Sequence, residues 1–223
     1  DDLRLQLEQK LKRAGEAVER AGKALTQARK KGGERLEQRI QKELRELDME
    51  KVRFSVDFAA KEPGTDGCDT VRFLMSANAG EALRPISKIA SGGELARIML
   101  ALKNVLAEQE QIATLVFDEV DTGVSGRAAQ RVAEKLAQLA CHKQVLCVTH
   151  LPQLAAMAGT HFLVEKGEQN GRTFTKVVEL DREARKAEIA RITGGSQVTD
   201  ALLASAADIL DQAAAYRAQL RER

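Results

Sequence analysis

Two adjacent carboxylates, Asp118 and Glu119, are the residues of this sequence best placed to do chemistry. They follow an apolar run over residues 113–117, which predicts a buried strand, and ligands bind at the carboxyl ends of strands in parallel sheets. One carboxylate there can hold Mg²⁺ through its oxygens, and its neighbour can orient or deprotonate a water that attacks a γ-phosphate. The alternative is a strand that ends in a solvated acidic turn. The pair therefore predicts phosphate chemistry only in combination with further residues.

A second candidate is the sequence Ser91-Gly92-Gly93-Glu94, which predicts the start of a helix. Ser91 is a favourable N-cap, and Glu94 stands three residues later, which is the spacing of a capping box. Because Gly92 and Gly93 carry no side chains, the free N–H groups of the first turn and the helix dipole can bind an anion. A capped helix start without a ligand is the alternative interpretation.

A histidine and a polar loop accompany these two patterns. His150 follows a second apolar run, over residues 145–149, so parallel strands would bring it to the same sheet edge as the carboxylate pair. There it could donate a hydrogen bond to a phosphate oxygen. Asp121 opens a glycine-bearing loop, which in the simplest interpretation only connects a strand to a helix. The order of all four patterns between residues 91 and 150 favours a shared site over coincidence.

The elements that must position these residues predict an α/β fold. From residue 91 onward, helical segments alternate with apolar strands, a pattern that indicates a parallel sheet covered by helices on both faces. The helices are expected at residues 94–108, 127–140, 151–157, 184–192 and 199–220, and the strands at residues 113–117, 145–149, 161–165 and 173–180.

The first fifty residues have the heptad pattern of a coiled coil. Apolar residues alternate at spacings that average the coiled-coil period of about 3.5, at Leu7, Leu11, Ala14, Val18, Ala21, Leu25 and Ala28. Alanines and two glycines weaken this seam, so we expect a partner helix from an earlier part of the same polypeptide. Gly32-Gly33 predicts a helix break or C-cap, followed by a second amphipathic helix.

At residue 51 the apolar period changes from that of a helix to that of a strand. Residues 52–58 alternate apolar and polar side chains, and a turn with Pro63 and Gly64 leads to a second strand at residues 71–76. Together these segments predict an antiparallel hairpin. We therefore predict two domains, coiled-coil helices over residues 1–50 and an α/β lobe over residues 51–223.

Composition and missing motifs exclude several other classes of protein. The 223 residues are 43% apolar and 30% charged with a formal net charge of +2, which suits a globular protein without a strongly basic surface. The three cysteines form no C-x-x-C pair, so we expect small buried thiols in a reducing cytoplasm. No apolar run is long enough for a membrane span, and no P-loop, nucleophile elbow or metalloprotease motif occurs. Because the first residue is Asp rather than Met, we expect a fragment or a trimmed form of a longer protein.

The four patterns, in this order, resemble the C-terminal lobe of an ABC-type ATPase head, which carries a signature motif, a Walker B strand, a D-loop and a switch histidine. Heptad helices that run directly into the lobe resemble the SMC branch. Longer strings at residues 85–94, 117–123, 148–153 and 189–195 are similar to the RecN family of SMC-like ATPases. The resemblance covers nearly the whole chain. It implies an α/β C-terminal lobe of an ABC/SMC-type P-loop ATPase head, plus an N-terminal coiled-coil segment.

By this resemblance the cofactors are ATP and Mg²⁺. Asp118 would help to hold Mg²⁺, and Glu119 would position or deprotonate the water that attacks the γ-phosphate. His150 would contact the γ-phosphate. The implied activity is ATP hydrolysis with ATP-driven head dimerisation, in DNA double-strand break repair and recombination.

The resemblance also implies that the nucleotide is shared between two heads of a homodimer. The loop Ser91-Gly92-Gly93-Glu94 would close over the ATP bound to the second head. Asp121 would lie along the same dimer seam, and Lys88 would add positive charge near the phosphates.

The P-loop lobe of this family precedes the coiled coil and is the implied partner within the same protein, so the chain alone should hydrolyse almost no ATP. DNA would be bound by the full-length protein, in the cytoplasm at the nucleoid and without a membrane partner. Three alternatives stay open. They are another SMC-like head, a transporter nucleotide-binding domain, which the coiled-coil entry disfavours, and a non-hydrolysing dimerisation module, for which the carboxylate pair would be dispensable.

Overall fold

The computed structural model describes residues 2–76, 80–88, 92–107, 109–169, 172–195 and 197–222. The helices are α1 (Asp2–Glu46), α2 (Gly92–Leu106), α3 (Gly126–Leu139), α4 (Pro152–Met157), α5 (Arg182–Gly194) and α6 (Asp200–Arg221), with a 3-10 helix at Ile86–Lys88. The strands are β1 (Arg53–Gly64), β2 (Gly67–Ser76), β3 (Arg84–Pro85), β4 (Thr114–Phe117), β5 (Gln144–Cys147), β6 (Phe162–Gln169) and β7 (Arg172–Glu179).

The chain divides into two compact units. The first consists of Asp1–Arg45 and Met49–Ala90, and the second of Glu46–Asp48 and Ser91–Arg223. The first unit therefore holds most of α1 and the strands β1 to β3, and the second holds the α/β part. The domain boundary expected after residue 50, between the coiled-coil helices and the α/β lobe, stays a prediction.

Helix α1 in the first unit is continuous over 45 residues, so the predicted break at Gly32-Gly33 is wrong. Gly33 is buried, and a Cβ atom built on it would lie 3.1 Å from Cζ of Phe58. At Gly22, a Cβ atom would lie 2.6 Å from Sγ of Cys68. These glycines allow the hairpin to pack closely on the helix. They do not interrupt the helix, because glycine in place of alanine destabilises an interior helix position by only about 1 kcal/mol.

The antiparallel hairpin of β1 and β2 is confirmed, with strands longer than the alternating pattern predicts. The pairing runs from Arg53 opposite Ser76 to Gly64 opposite Gly67. Polar contacts fasten the hairpin to α1 within the first unit. The carboxylate of Glu37 accepts a hydrogen bond from the backbone N–H of Val56 at 2.6 Å.

The heptad seam on the N-terminal half of α1 is exposed. Leu11 is 74% exposed and Leu7 is 56% exposed. A groove of about 830 Å³ runs along this part of the helix and is closed on one side by the hairpin residues Ala60, Pro63 and Cys68. The apolar seam therefore lacks a covering partner within the described residues.

The second unit contains the predicted pair of parallel strands. Strands β4 and β5 pair in parallel, with Phe117 opposite Cys147, and they alternate with helices as an α/β fold requires. Phe117 is buried, whereas Val116 and Leu146, on the other face of the same strands, are 67% and 47% exposed. Helices were expected on both faces of the sheet, but within the described part of the chain one face of this strand pair is exposed.

The C-terminal half of the second unit holds the short helix α4 in place. Arg185 of α5 donates hydrogen bonds to the backbone oxygens of Ala156 and Ala158, at 3.2 and 2.8 Å. Arg217 of α6 donates to the oxygens of Ala156 and Met157, at 3.2 and 3.1 Å. Two guanidinium groups thereby satisfy the carbonyl end of α4, where positive charge is also favoured by the helix dipole. No helix in the described ranges is long and apolar enough to cross a membrane.

Candidate functional site

The parallel pairing of β4 and β5 brings the predicted carboxylates and the histidine to one edge of the strand pair. Asp118 and Glu119 follow the last residue of β4, and the ladder continues past β5 because the N–H of Val148 donates to the oxygen of Phe117 at 3.0 Å. His150 comes two residues later. The side chains of Asp118, Glu119 and His150 are exposed at this edge, which makes them accessible to a ligand.

Glu119 has a left-handed backbone conformation, with φ at +57°. This region is rare for residues other than glycine and costs about 1–3 kcal/mol, which the surrounding structure must offset. The conformation begins a tight turn in which the N–H of Thr122 donates to the oxygen of Glu119 at 3.1 Å. The Asp118 carboxylate steadies the same turn, since its Oδ1 accepts from the N–H of Glu119 at 2.9 Å.

The first turn of α2 packs tightly against this turn. A Cβ atom built on Gly92 would lie 2.7 Å from Oε2 of Glu119, and one built on Gly93 would lie 2.9 Å from the oxygen of Thr122. Gly93 therefore permits a close approach to the backbone that an alanine would obstruct, whereas at Gly92 the exposed Glu119 side chain could move aside. Glu94 is half-buried on the same helix. Ser91 lies outside the described residues, so the predicted capping box is not described by the structure.

Asp121 is turned inward, and it holds the segment that contains His150. Its side chain is 4% exposed, and its Oδ2 accepts hydrogen bonds from Oγ1 of Thr149 at 2.5 Å and from the N–H of His150 at 3.0 Å. The same Oδ2 lies 3.2 Å from Nδ1 of the His150 ring, which is 76% exposed. Because Nδ1 faces Asp121, Nε2 is the ring nitrogen that can meet a phosphate. Sequence reasoning missed Thr149, although its hydroxyl next to the histidine was the available signal.

A buried arginine on α2 also contacts the turn, and sequence reasoning missed it. Arg97 is 8% exposed, and its Nη1 donates to the oxygen of Thr122 at 2.8 Å. Burial lowers the pKa of Arg97, and the charge of nearby Glu94 partly offsets that effect. The signal in the sequence is a charged residue within the apolar, inward-facing pattern of the helix.

The remaining candidates have different surroundings. Lys88 is exposed in the 3-10 helix of the first unit, and its role near phosphate stays a prediction. Burial, together with Asp121 and Asp118, raises the pKa of Cys147 to about 12, so its thiol is protonated and unreactive at neutral pH. Cys141 is exposed, and Cys68 and Cys147 are only partly buried, so the expectation of three buried thiols is wrong.

A single carboxylate at the strand end is consistent with the way proteins bind Mg²⁺. Within the described residues, no group of three or more His, Cys, Asp or Glu side chains is arranged to hold a metal ion. Proteins commonly bind Mg²⁺ through one or two carboxylates together with substrate phosphates and water. The exposed carboxylate of Asp118 fits this arrangement, with the remaining ligands supplied by a nucleotide and solvent.

Comparison with known proteins identifies clear relatives by sequence. No protein-family model matches the chain. The DNA repair protein RecN of Bacillus subtilis (strain 168) is 43% identical over 213 residues, which cover 88% of this chain and 37% of the relative. RecN of Halalkalibacterium halodurans is 43% identical over 222 residues, which cover 97% of this chain and 39% of the relative. The chain thus spans about two fifths of the length of these curated relatives.

Comparison with solved structures identifies the fold. The Smc head domain with a coiled coil and joint from Pyrococcus yayanosii matches with a TM-score of 0.52 at 17% identity, over 71% of this chain and 29% of that chain. The Smc head domain from Pyrococcus furiosus, with an extended coiled coil and bound to the C-terminal domain of ScpA, matches with a TM-score of 0.50 at 18% identity. That match covers 71% of this chain and 37% of the other. Over the part that it spans, the chain is therefore a homologue of the RecN proteins and has the fold of an SMC head.

Proposed function

We propose that this chain is the C-terminal part of an ATP-hydrolysing SMC-type head that acts in DNA double-strand break repair and recombination. The observation that carries the proposal is the meeting of Asp118, Glu119 and His150 at one edge of the β4–β5 pair. The name of the relatives, DNA repair protein, supports the biological role. The fold of SMC heads supports the assignment of the site to a nucleotide.

Asp118, Glu119 and His150 each have a separate role in ATP hydrolysis. Asp118 holds Mg²⁺, which when bound neutralises phosphate charge in the transition state. Glu119 orients or deprotonates the water that attacks the γ-phosphate. His150, held through Nδ1 by Asp121, donates a hydrogen bond from Nε2 to a γ-phosphate oxygen.

The start of α2 acts on a second nucleotide. Ser91, Gly92, Gly93 and Glu94 close over the ATP bound to the opposite head of a homodimer, so that ATP joins two heads and hydrolysis releases them. The exposed start of α2 at Gly92 supports this role, because the free N–H groups and the dipole of a helix N-terminus favour a phosphate. Asp121 lies along the dimer seam, and Lys88 adds positive charge near the phosphates.

A separate P-loop lobe of the same protein completes the head. The sequence contains no pattern that could cradle the α- and β-phosphates, and the open face with Val116, Leu146 and Val148 offers an apolar surface to such a lobe. The relatives are long enough to contain it, since the chain spans only 37–39% of their length. The chain alone is accordingly inactive.

The exposed seam of α1 receives another helix from the same polypeptide. Leu11 and Val18 line the groove along α1, and they and Leu7 of the same heptad seam are about half or more exposed. The extra length of the relatives can supply a helix to cover them. DNA is bound by the full-length protein, through contacts that lie beyond this chain.

The test is the ATPase activity of this chain mixed with a separately produced P-loop lobe, compared with each piece alone. Activity only in the mixture, lost with Glu119→Gln, supports the proposal. Turnover by the isolated chain that Glu119→Gln abolishes would contradict the need for a second lobe. A folded complex without activity, whose ATP-dependent dimerisation is unchanged by Glu119→Gln, would instead favour a non-hydrolysing dimerisation module.

A further inference from the structure

We propose that Arg97 is a positioning residue that couples the start of α2 to Glu119 and His150 through the turn between residues 119 and 122. The inference deepens the proposed function and rests on it for its catalytic consequence. Arg97 acts on a phosphate only indirectly, by holding the backbone that carries the reacting groups.

Two residues of α2 contact the turn from the same face of the helix. Gly93 and Arg97 are four residues apart, which places them one above the other on α2. A Cβ atom on Gly93 would lie 2.8 Å from Cβ of Thr122, and Nη1 of Arg97 donates to the oxygen of Thr122 at 2.8 Å. The helix is therefore joined to Thr122 by both packing and a hydrogen bond.

The choice of arginine at this buried position is informative. Burying a guanidinium group is unfavourable unless hydrogen bonds replace those to water, and an apolar side chain of similar volume would pack there without that cost. The hydrogen bond from Arg97 ends on a backbone oxygen of the turn. What the arginine adds over an apolar residue is thus a directional attachment of α2 to the turn.

Thr122 is linked to Glu119 by a backbone hydrogen bond and to His150 through its chain neighbour Asp121. On one side, the N–H of Thr122 donates to the oxygen of Glu119 at 3.1 Å. On the other side, the neighbouring residue Asp121 accepts from the N–H of His150 at 3.0 Å and from Oγ1 of Thr149 at 2.5 Å. A displacement of α2 that accompanies nucleotide binding at its first turn is consequently transmitted to Glu119 and His150 together.

The first test measures steady-state ATP hydrolysis by the full-length protein with Arg97→Ala, Arg97→Lys and Lys103→Ala. Lys103 is the matched control, because it lies on the same helix but pairs with Glu110 at 2.7 Å, away from the turn. We expect Arg97→Ala to lower kcat by about ten- to a hundredfold with little change in KM, as for other misplaced catalytic groups. Arg97→Lys should recover much of the loss because an ammonium can donate to the same oxygen, and Lys103→Ala should resemble the unaltered protein.

The second test separates positioning from general stabilisation. Peptide-resolved amide hydrogen exchange of the same full-length variants compares residues 149–151, whose N–H groups include the His150 donor, with strand β5 as an internal reference. We expect Arg97→Ala to accelerate exchange at residues 149–151 while β5 stays protected. Equal acceleration in both segments, or none in either, would overturn the inference. Arg97→Met, which fills a similar volume but cannot donate a hydrogen bond, gives the same comparison if the alanine variant does not fold.

The two tests also distinguish this inference from the proposed function. Absence of ATP hydrolysis by the full-length protein would contradict the proposed function, whereas the exchange comparison would still decide whether Arg97 positions the His150 segment. Normal hydrolysis with an unchanged kcat in Arg97→Ala would overturn the inference and leave the proposed function standing.

Discussion

The carboxylate of Asp121 and the residue His150 are joined twice, once through the backbone and once through the ring. Oδ2 of Asp121 lies 3.0 Å from the backbone nitrogen of His150 and 3.2 Å from its Nδ1. The carboxylate is almost fully buried, while the ring is largely exposed. A buried anion therefore fixes the orientation of an exposed imidazole, which is the arrangement expected of a histidine that must meet a ligand at a set angle.

Replacement of Asp121 should disturb both stability and activity. Asp121→Ala leaves the N–H of His150 and the hydroxyl of Thr149 without their acceptor, so we expect a loss of about 1–3 kcal/mol in the free energy of unfolding. ATP hydrolysis by the complete head should fall with it. Denaturant titration and steady-state ATPase measurement check the two effects. Asp208→Ala, at an exposed position of α6, is the control, and an equal loss in both variants would contradict the prediction.

Glu119 should show a conflict between stability and function. Glycine adopts a φ of +57° without the penalty that a side chain incurs, whereas glutamine retains that penalty. We expect Glu119→Gly to have a free energy of unfolding higher than that of Glu119→Gln by up to about 1 kcal/mol, while both variants lose ATP hydrolysis. Thermal or denaturant unfolding of the two variants side by side checks this. A glycine variant clearly less stable than the glutamine variant would argue against strain at this position.

The adjacent glycines of α1 should respond in opposite directions to the same substitution. A Cβ atom on Gly32 meets nothing within 4 Å, so Gly32→Ala should stabilise the helix by about 1 kcal/mol. A Cβ atom on Gly33 would lie 3.1 Å from the ring of Phe58, so Gly33→Ala should destabilise the packing of the hairpin by about 1–3 kcal/mol. Circular dichroism during unfolding of both variants measures the difference, and the same direction for both would refute it.

The arginine that caps α4 should contribute more to stability than its neighbour on the same helix. Arg185→Ala removes hydrogen bonds to the oxygens of Ala156 and Ala158, which leaves the carbonyl end of α4 under-satisfied, and should cost about 2–3 kcal/mol. Arg182 pairs with Asp211 in solvent, with both side chains 62% exposed, so Arg182→Ala should leave the unfolding midpoint nearly unchanged. Comparable shifts in the two midpoints would count against the capping role.

Cys147 should resist alkylation and should make stability fall at high pH. Its pKa in the folded protein is about 12, chiefly because of burial, whereas a thiol in the unfolded chain ionises near its reference pKa of about 8.5. The unfolded state therefore loses its proton first as the pH rises, and the contribution of Cys147 to stability is complete below about pH 8.5 and declines above it. Mass spectrometry after brief iodoacetamide treatment should find exposed Cys141 labelled before Cys147. The second effect is measured by unfolding the Cys147→Ala variant at alkaline pH. The loss of stability attributed to Cys147 should be absent from this variant.

Much of the fold could be predicted from local patterns. The order of strands and helices from residue 91 onward and the antiparallel hairpin agree with the structure, because apolar periodicity reports directly on which side of an element is buried. The helix break expected at Gly32-Gly33 was wrong because local sequence does not report on tertiary packing. A glycine pair in sequence does not reveal whether it ends a helix or admits a neighbouring aromatic ring, as Gly33 admits Phe58.

The sequence by itself determined which groups can do chemistry and that they share one sheet edge, since residue type sets the acid–base chemistry and parallel strands place their carboxyl ends together. Only the tertiary structure decided how those groups are held. Asp121 is buried and accepts a hydrogen bond from His150, and buried Arg97 donates one to Thr122. These contacts join residues about 25–30 positions apart, and they depend on packing that no local pattern encodes. The close approach of Gly92 to Glu119 follows from the same packing.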